Sequence, residues 1–301
     1  MGGAGRQLID RQVLPRAIAA LLLCLLAAGA HADGGHHTFW VAKGARNTVY
    51  LLGSVHVLKP ADSDLPPEAL RAYASAKALV MEIDLNDVTT AAMLAADSSL
   101  ESLPPGESLA DALGESAYRR FAAHVRTLGL DPDIFNNFQP WFAAMTMQQV
   151  ELTQQGFEAG AGVDEQFAQR AALDHKPIIG LETVDEQLGI FARLSAEQQR
   201  RFLLYMLDDA DDARHSADAV VSAWRSGDVR QLEQLLGESS NQYPELFRML
   251  TTDRNRRWMP TVTGLLQEPQ DYLVIVGALH LVGRDGLVQM LQQAGYQVVQ
   301  H

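Results

Sequence analysis

Val49-Tyr50-Leu51-Leu52-Gly53-Ser54-Val55-His56 and Leu273-Val274-Ile275-Val276-Gly277-Ala278-Leu279-His280 are the two stretches that decide the fold. Each is four mostly apolar residues of strand type followed by Gly-x-x-His. In an open α/β sheet the working crevice lies beyond the carboxyl ends of the parallel strands. A glycine there lets the chain turn sharply, so that a histidine three residues on can face the crevice. The same device occurring twice predicts that His56 and His280 overlook one pocket.

Outward from the first stretch, residues 38–43 and 48–52 read as a hairpin across Gly44-Ala45-Arg46-Asn47. Residues 66–76 read as a helix and 78–85 as a strand with Glu82 inside the sheet. That β-α-β start implies a parallel pair with a right-handed crossover. From 86 to about 172 the pattern is helical. Pro140 is placed to open a helix holding Trp141, Phe142 and Met145, and Gly160-Ala161-Gly162-Val163-Asp164 is a turn with Asp164 as candidate N-cap. A further strand spans 177–182. Ser195 and Gln198 form a capping-box pattern, and helices follow to about 266, broken at Ser226-Gly227-Asp228 and Tyr243-Pro244. A strand over 272–276, a helix over 286–294 and a last strand near 296–299 close the chain. The expected class is α/β, with a mixed, partly parallel sheet and large helical segments at about 86–172 and 186–266, in a single domain over 33–301.

Glu82 and Glu182 also come near predicted strand ends, so two imidazoles and two carboxylates can converge from four distant segments. That inventory suits a divalent metal or a metal-free acid/base site alike. Each residue also has a plainer structural reading. A lone Gly-x-x-His is commonly a strand-end turn, Glu82 caps a loop or pairs with an arginine, and Glu182 caps the helix after Thr183. Ser54 lacks the Gly-x-Ser-x-Gly elbow of a serine hydrolase. Arg254 and Asn255 follow a helical apolar pattern of Leu246, Phe247 and Leu250; turned inward, either would bind a substrate carboxylate or carbonyl.

Composition narrows the classes. The 301 residues, 47 % apolar and 20 % charged, describe a globular protein. A net charge of -13 without a clustered basic stripe excludes an electrostatic footprint for nucleic acid or an anionic membrane. One cysteine, Cys24, permits neither an internal disulfide nor a Cys-x-x-Cys site, so any metal must use His, Asp or Glu. Arg6, Arg11 and Arg16, the apolar run 17–28 and Ala30-His31-Ala32 read as a secretory signal peptide over residues 1–32, cut after Ala32. The run is shorter than the about 20 residues that a membrane-spanning helix needs. The expected product is periplasmic or secreted with no integral membrane segment, and its apolar helix faces serve a core or a homodimer.

Together, Leu51-Leu52-Gly53-Ser54-Val55-His56, Met81-Glu82-Ile83-Asp84, Gly162-Val163-Asp164, Gly180-Leu181-Glu182-Thr183 with Glu186-Gln187, Arg254-Asn255 and Val276-Gly277-Ala278-Leu279-His280 resemble the TraB/GumN family, which includes the Tiki proteases. The resemblance covers essentially all of the chain after residue 32. It implies a fold related to the erythromycin-esterase and ChaN-like proteins, and an active centre of paired Gly-x-x-His motifs with an acidic residue. It further implies divalent-metal-dependent peptidase activity, with manganese or cobalt as the ion in Tiki members. Carried over, His56, His280 and Glu82 would hold the ion, which would activate a water and polarise the scissile carbonyl. Glu182 would be the general base or a second ligand, and Arg254 with Asn255 would steady an oxyanion or a substrate carboxylate. The sulfur-free ligand set admits manganese, cobalt or zinc. The expected function is therefore a secreted metal-dependent hydrolase acting on a peptide or protein. Its rivals are a non-enzymatic peptide or haem binder and a metal-free esterase using His56 as base with Glu82.

Overall fold

The computed structural model describes residues 37–85, 100–209 and 213–301. The expected signal segment, 1–32, and residues 86–99 of the expected helical stretch lie outside the described residues. The described residues divide into two compact units, one built on residues 37–85, 158–183 and 215–301, the other on 100–157, 184–209 and 213–214.

The first unit carries a six-stranded mixed sheet. β1 (Phe39–Lys43) and β2 (Thr48–Ser54) form the expected antiparallel hairpin, with Phe39 opposite Leu52 and Lys43 opposite Thr48. Its turn is closed by the Gly44 N–H donating to the Asn47 carbonyl at 3.1 Å. Asn47 Nδ2 donates to the Leu265 and Gln270 carbonyls at 2.8 and 2.6 Å, tying the hairpin to the segment that leads into the fifth strand. The remaining strands are β3 (Ala78–Met81), β4 (Ile178–Gly180), β5 (Tyr272–Gly277) and β6 (Val298–Gln300), in the order β4-β3-β5-β2-β1-β6. β4, β3, β5 and β2 are mutually parallel, and β1 runs against both β2 and β6.

Two expectations are corrected here. The β-α-β start does not form a neighbouring pair, because β5 lies between β2 and β3. Every residue of β5 is buried, and an all-apolar Leu-Val-Ile-Val run gains most where both faces and both edges are covered. Nor does β3 run to residue 85. It stops at Met81, and the Gly277 N–H is taken by the Glu82 side chain (2.8 Å) in place of a strand carbonyl. Glu82 thus stands just past the sheet's carboxyl edge.

Helices Pro67–Ser75, Val163–Asp174, Ala213–Ser226, Val229–Gln242, Asp253–Leu265 and Leu287–Gln293 accompany the sheet. The helix at Asp253 is entered through a π-type turn, Arg248–Thr252, the kind of irregularity that recurs next to functional sites. The second unit is helical, with Leu109–Leu113, Glu115–Thr127, Pro140–Gln154, Val184–Ala192 and Ala196–Asp209. Pro140 opens its helix as expected, and that helix is buried on nearly every side. Rings of Phe121, Phe135, Phe138, Phe142, Trp141, Phe191 and Phe202 follow one another at 4.7–5.7 Å, giving this unit an aromatic core. Ser195 and Gln198 form the predicted capping box, each side chain bonded to the other's backbone N–H. Among the described residues, no helix is long and apolar enough to cross a membrane.

Candidate active site

The parallel register sets Ser54 opposite Gly277, so both Gly-x-x-His turns leave the sheet at one level. Gly53 lets the two turns lie close: a Cβ on it would be 3.0 Å from the Ala278 Cα, within the second turn. The Gly53 carbonyl accepts from Trp224 Nε1 at 2.7 Å, which fixes the first turn from outside. A second glycine then docks the turn before helix Val163–Asp174 onto His56. The Cβ of any other residue at 162 would sit 2.1 Å from the His56 carbonyl oxygen, and the Val163 N–H donates to the Val55 carbonyl at 3.0 Å.

That docking delivers Asp164. The helix's N-cap is Gly162, not Asp164, and the Asp164 carboxylate serves the histidine instead. His56 Nδ1–H donates to Asp164 Oδ2 at 2.9 Å, and Ser54 Oγ donates to Asp164 Oδ1 at 2.8 Å. All three residues are buried. With the proton on Nδ1, Nε2 carries the lone pair, and it is buried without a hydrogen-bond partner. Burial pushes the His56 pKa down, but the charge and hydrogen bond of Asp164, helped by Glu82, more than offset it, so the ring titrates above the ordinary 6.5. Sequence reasoning missed Asp164 as a functional residue. Its signal was an acidic residue just after an obligate glycine, which reads equally well as a cap.

Around the second histidine the centre is Arg254, fully buried on the inward face of helix Asp253–Leu265. Its Nε donates to Glu182 Oε1 at 3.0 Å, and Nη2 to Glu182 Oε1 at 2.5 Å and to Glu82 Oε2. Nη1 donates to the Leu250 carbonyl at 3.1 Å and to His280 Nε2 at 3.0 Å. All five guanidinium N–H groups are thereby engaged. His280 Nδ1–H donates to Asn255 Oδ1 at 2.6 Å, while Asn255 Nδ2 donates to the His280 and Asp285 carbonyls. Trp258 covers the cluster, its ring 4.6 Å from both the His280 ring and the Arg254 guanidinium carbon. Burial and the Arg254 charge push the His280 pKa down to about 3, so the ring is neutral. Burial alone would raise Glu82, but Arg254 outweighs it and holds that carboxyl well below the usual range.

The structure thus gathers Glu82, Glu182, Arg254, Asn255 and His280 into one bonded cluster, with His56 on a separate carboxylate nearby. It does not arrange His56, Glu82 and His280 as a metal centre. His280 Nε2 and Glu82 Oε2 face the guanidinium, and among the described residues no three of His, Cys, Asp and Glu are placed to hold an ion. Two like unit charges 4 Å apart repel by about 4 kcal/mol at the effective dielectric of a protein site, and a divalent ion doubles that. These residues therefore do not fit the expected ion while Arg254 is in place. Two further roles change. Glu182 is bonded to Arg254 rather than poised as base or helix cap, and Arg254 and Asn255 have no donor left for an oxyanion. The only acceptor among the expected site residues that is both buried and unpartnered is His56 Nε2.

Comparison with known proteins agrees with the resemblance. The chain is 28% identical over 267 residues to "Uncharacterized protein YbaP" of Escherichia coli (strain K12), covering 86% of this chain and 94% of the relative. It is 25% identical over 302 residues to "Metalloprotease TIKI2" of Xenopus tropicalis, covering 83% of this chain and 57% of that protein. "Metalloprotease TIKI homolog" of Amphimedon queenslandica is 26% identical over 308 residues, with 83% and 59% covered. No solved structure matches. Residues 38–300 match the TraB/PrgY/gumN family, and the chain belongs to that family.

Proposed function

We propose that this protein is an exported hydrolase of peptide bonds in which His56 is the base that activates water. The observation that carries the reading is His56 Nε2, a buried acceptor without a partner on a ring whose other nitrogen is fixed by Asp164. An unsatisfied buried acceptor costs about 1–3 kcal/mol, and such a group calls for a functional explanation. A water held by Nε2 gives up its proton to that nitrogen as its oxygen attacks the substrate carbonyl. Asp164 stabilises the imidazolium that forms, and Nε2–H then protonates the leaving amine. Ser54 holds the far oxygen of Asp164 and so keeps the carboxylate aimed at Nδ1. Ser54 donates to Asp164 and not to the histidine, which argues against a serine nucleophile.

Peptide as the substrate class is taken from the relatives named metalloproteases, and export from the basic and apolar pattern of residues 1–32. The ion implied by those names is a second reading, and it too runs through His56, since an imidazole held by a carboxylate at Nδ1 is the form in which histidine ligates metals. The test of the base is His56→Gln, assayed against a peptide library by mass spectrometry. General-base loss lowers kcat/KM by about 10²–10⁴ in a variant whose circular dichroism is unchanged. Turnover equal to wild type would remove His56 from the chemistry.

A further inference from the structure

We infer that Arg254 is the resident cation of this site: its guanidinium stands where Glu82, Glu182 and His280 would otherwise hold a divalent ion, so the native cluster is closed to metal. The geometry makes the case. Two buried carboxylates and an imidazole lone pair all aim at one guanidinium, with Glu182 engaged through both oxygens and His280 through Nε2 at 3.0 Å. Carboxylate oxygens and an imidazole nitrogen are the ligand types that manganese, cobalt or zinc take, and here they are spread over the Nε, Nη1 and Nη2 of one guanidinium. Here the compensating charge is covalently part of the chain. Two of the three groups are themselves pinned from outside, Glu82 Oε1 by the Gly277 N–H and His280 Nδ1 by Asn255, so these two keep their aim whatever fills the centre. A buried carboxylate pair needs a positive partner, and the fold offers two ways to supply one: this arginine, or an ion once the arginine is gone.

The inference does not rest on the hydrolase reading, because its readout is bound metal. Wild type, Arg254→Met and Arg254→Met/His280→Ala are loaded with zinc, manganese or cobalt, desalted and measured by inductively coupled plasma mass spectrometry, beside wild-type-background Glu82→Gln and His280→Ala. Any ion on wild type is expected to persist in Glu82→Gln and His280→Ala, which marks it as bound elsewhere. Arg254→Met is expected to gain about one ion per chain, lost again in the double variant, and to show a melting temperature that rises with ion concentration, as binding to the native state requires. A variant that folds only when the ion is present supports the inference in the same way. An ion on wild type that disappears in Glu82→Gln or His280→Ala overturns it, as does a folded Arg254→Met that takes up none. If Arg254→Met folds under no condition, the wild type decides: zinc that leaves the His280 ring resonances unmoved in NMR supports the closed cluster, and zinc that shifts them overturns it.

Discussion

Two buried histidines that share a Gly-x-x-His context end in opposite electrostatic states, and the difference lies in one neighbour each. His56 meets a carboxylate at Nδ1 and titrates above 6.5; His280 meets a guanidinium at Nε2 and is pushed down to about 3. For His56 as base, Nε2 must be unprotonated, so activity falls as pH drops through a pKa above the ordinary value. Asp164→Asn removes the charge that raises it. The acid limb of the pH–rate profile is then expected to move to lower pH, while kcat/KM on the plateau falls at least about tenfold for loss of imidazolium stabilisation. An acid limb that stays in place would detach Asp164 from the base. His280 makes a prediction about stability. Its folded pKa lies below its unfolded one, so between pH 6.5 and about 3 the unfolded chain binds the extra proton and stability falls as pH falls. This one residue contributes a slope of at most about 1.4 kcal/mol per pH unit. Glu82, held low by Arg254, adds to the loss below its unfolded value of 4.5. Urea denaturation from pH 7 to 4.5 is expected to show the His280 slope in wild type and a shallower one in His280→Gln.

At the scale of elements, the site depends on how one turn docks on another. The turn before helix Val163–Asp174 approaches the His56 carbonyl so closely that a methyl group at 162 has no room. Gly162→Ala must push the turn away and carry Asp164 off His56. It is expected to cost about 1–3 kcal/mol, as overpacking does, and to lower activity beyond what stability explains. Gly264→Ala, in helix Asp253–Leu265 with open space around its Cβ, is the control, expected to gain about 0.5–1 kcal/mol. Chemical denaturation with a peptidase assay on both variants checks the pair. Equal stability changes would mean that the turn gives way freely. The strand elements were largely readable in the sequence, because short apolar runs of strand type, two of them followed by Gly-x-x-His, are local patterns. Asp164 was not, since a first-turn aspartate looks the same whether it caps its own helix or reaches another segment.

For the whole molecule, a base supplied by the chain and a cation supplied by Arg254 predict hydrolysis that survives exhaustive chelation, with at least about half of the untreated rate retained. Complete loss on chelation, restored by manganese or cobalt, would favour the metal reading through His56 instead. The sequence by itself determined a mixed α/β class, the antiparallel hairpin, the helix started by Pro140 and the capping box at Ser195, because each follows from periodicity, turn chemistry or a neighbour within a few residues. Only the tertiary structure decided that β5 separates β2 from β3, that Asp164 belongs to His56, and that Arg254 fills the space between Glu82, Glu182 and His280. The spacing of those residues along the chain admits a metal and an arginine equally well. The choice is made by burial: charges removed from water need the nearest opposite charge the fold can bring, and the helix entered through Arg248–Thr252 brings a guanidinium.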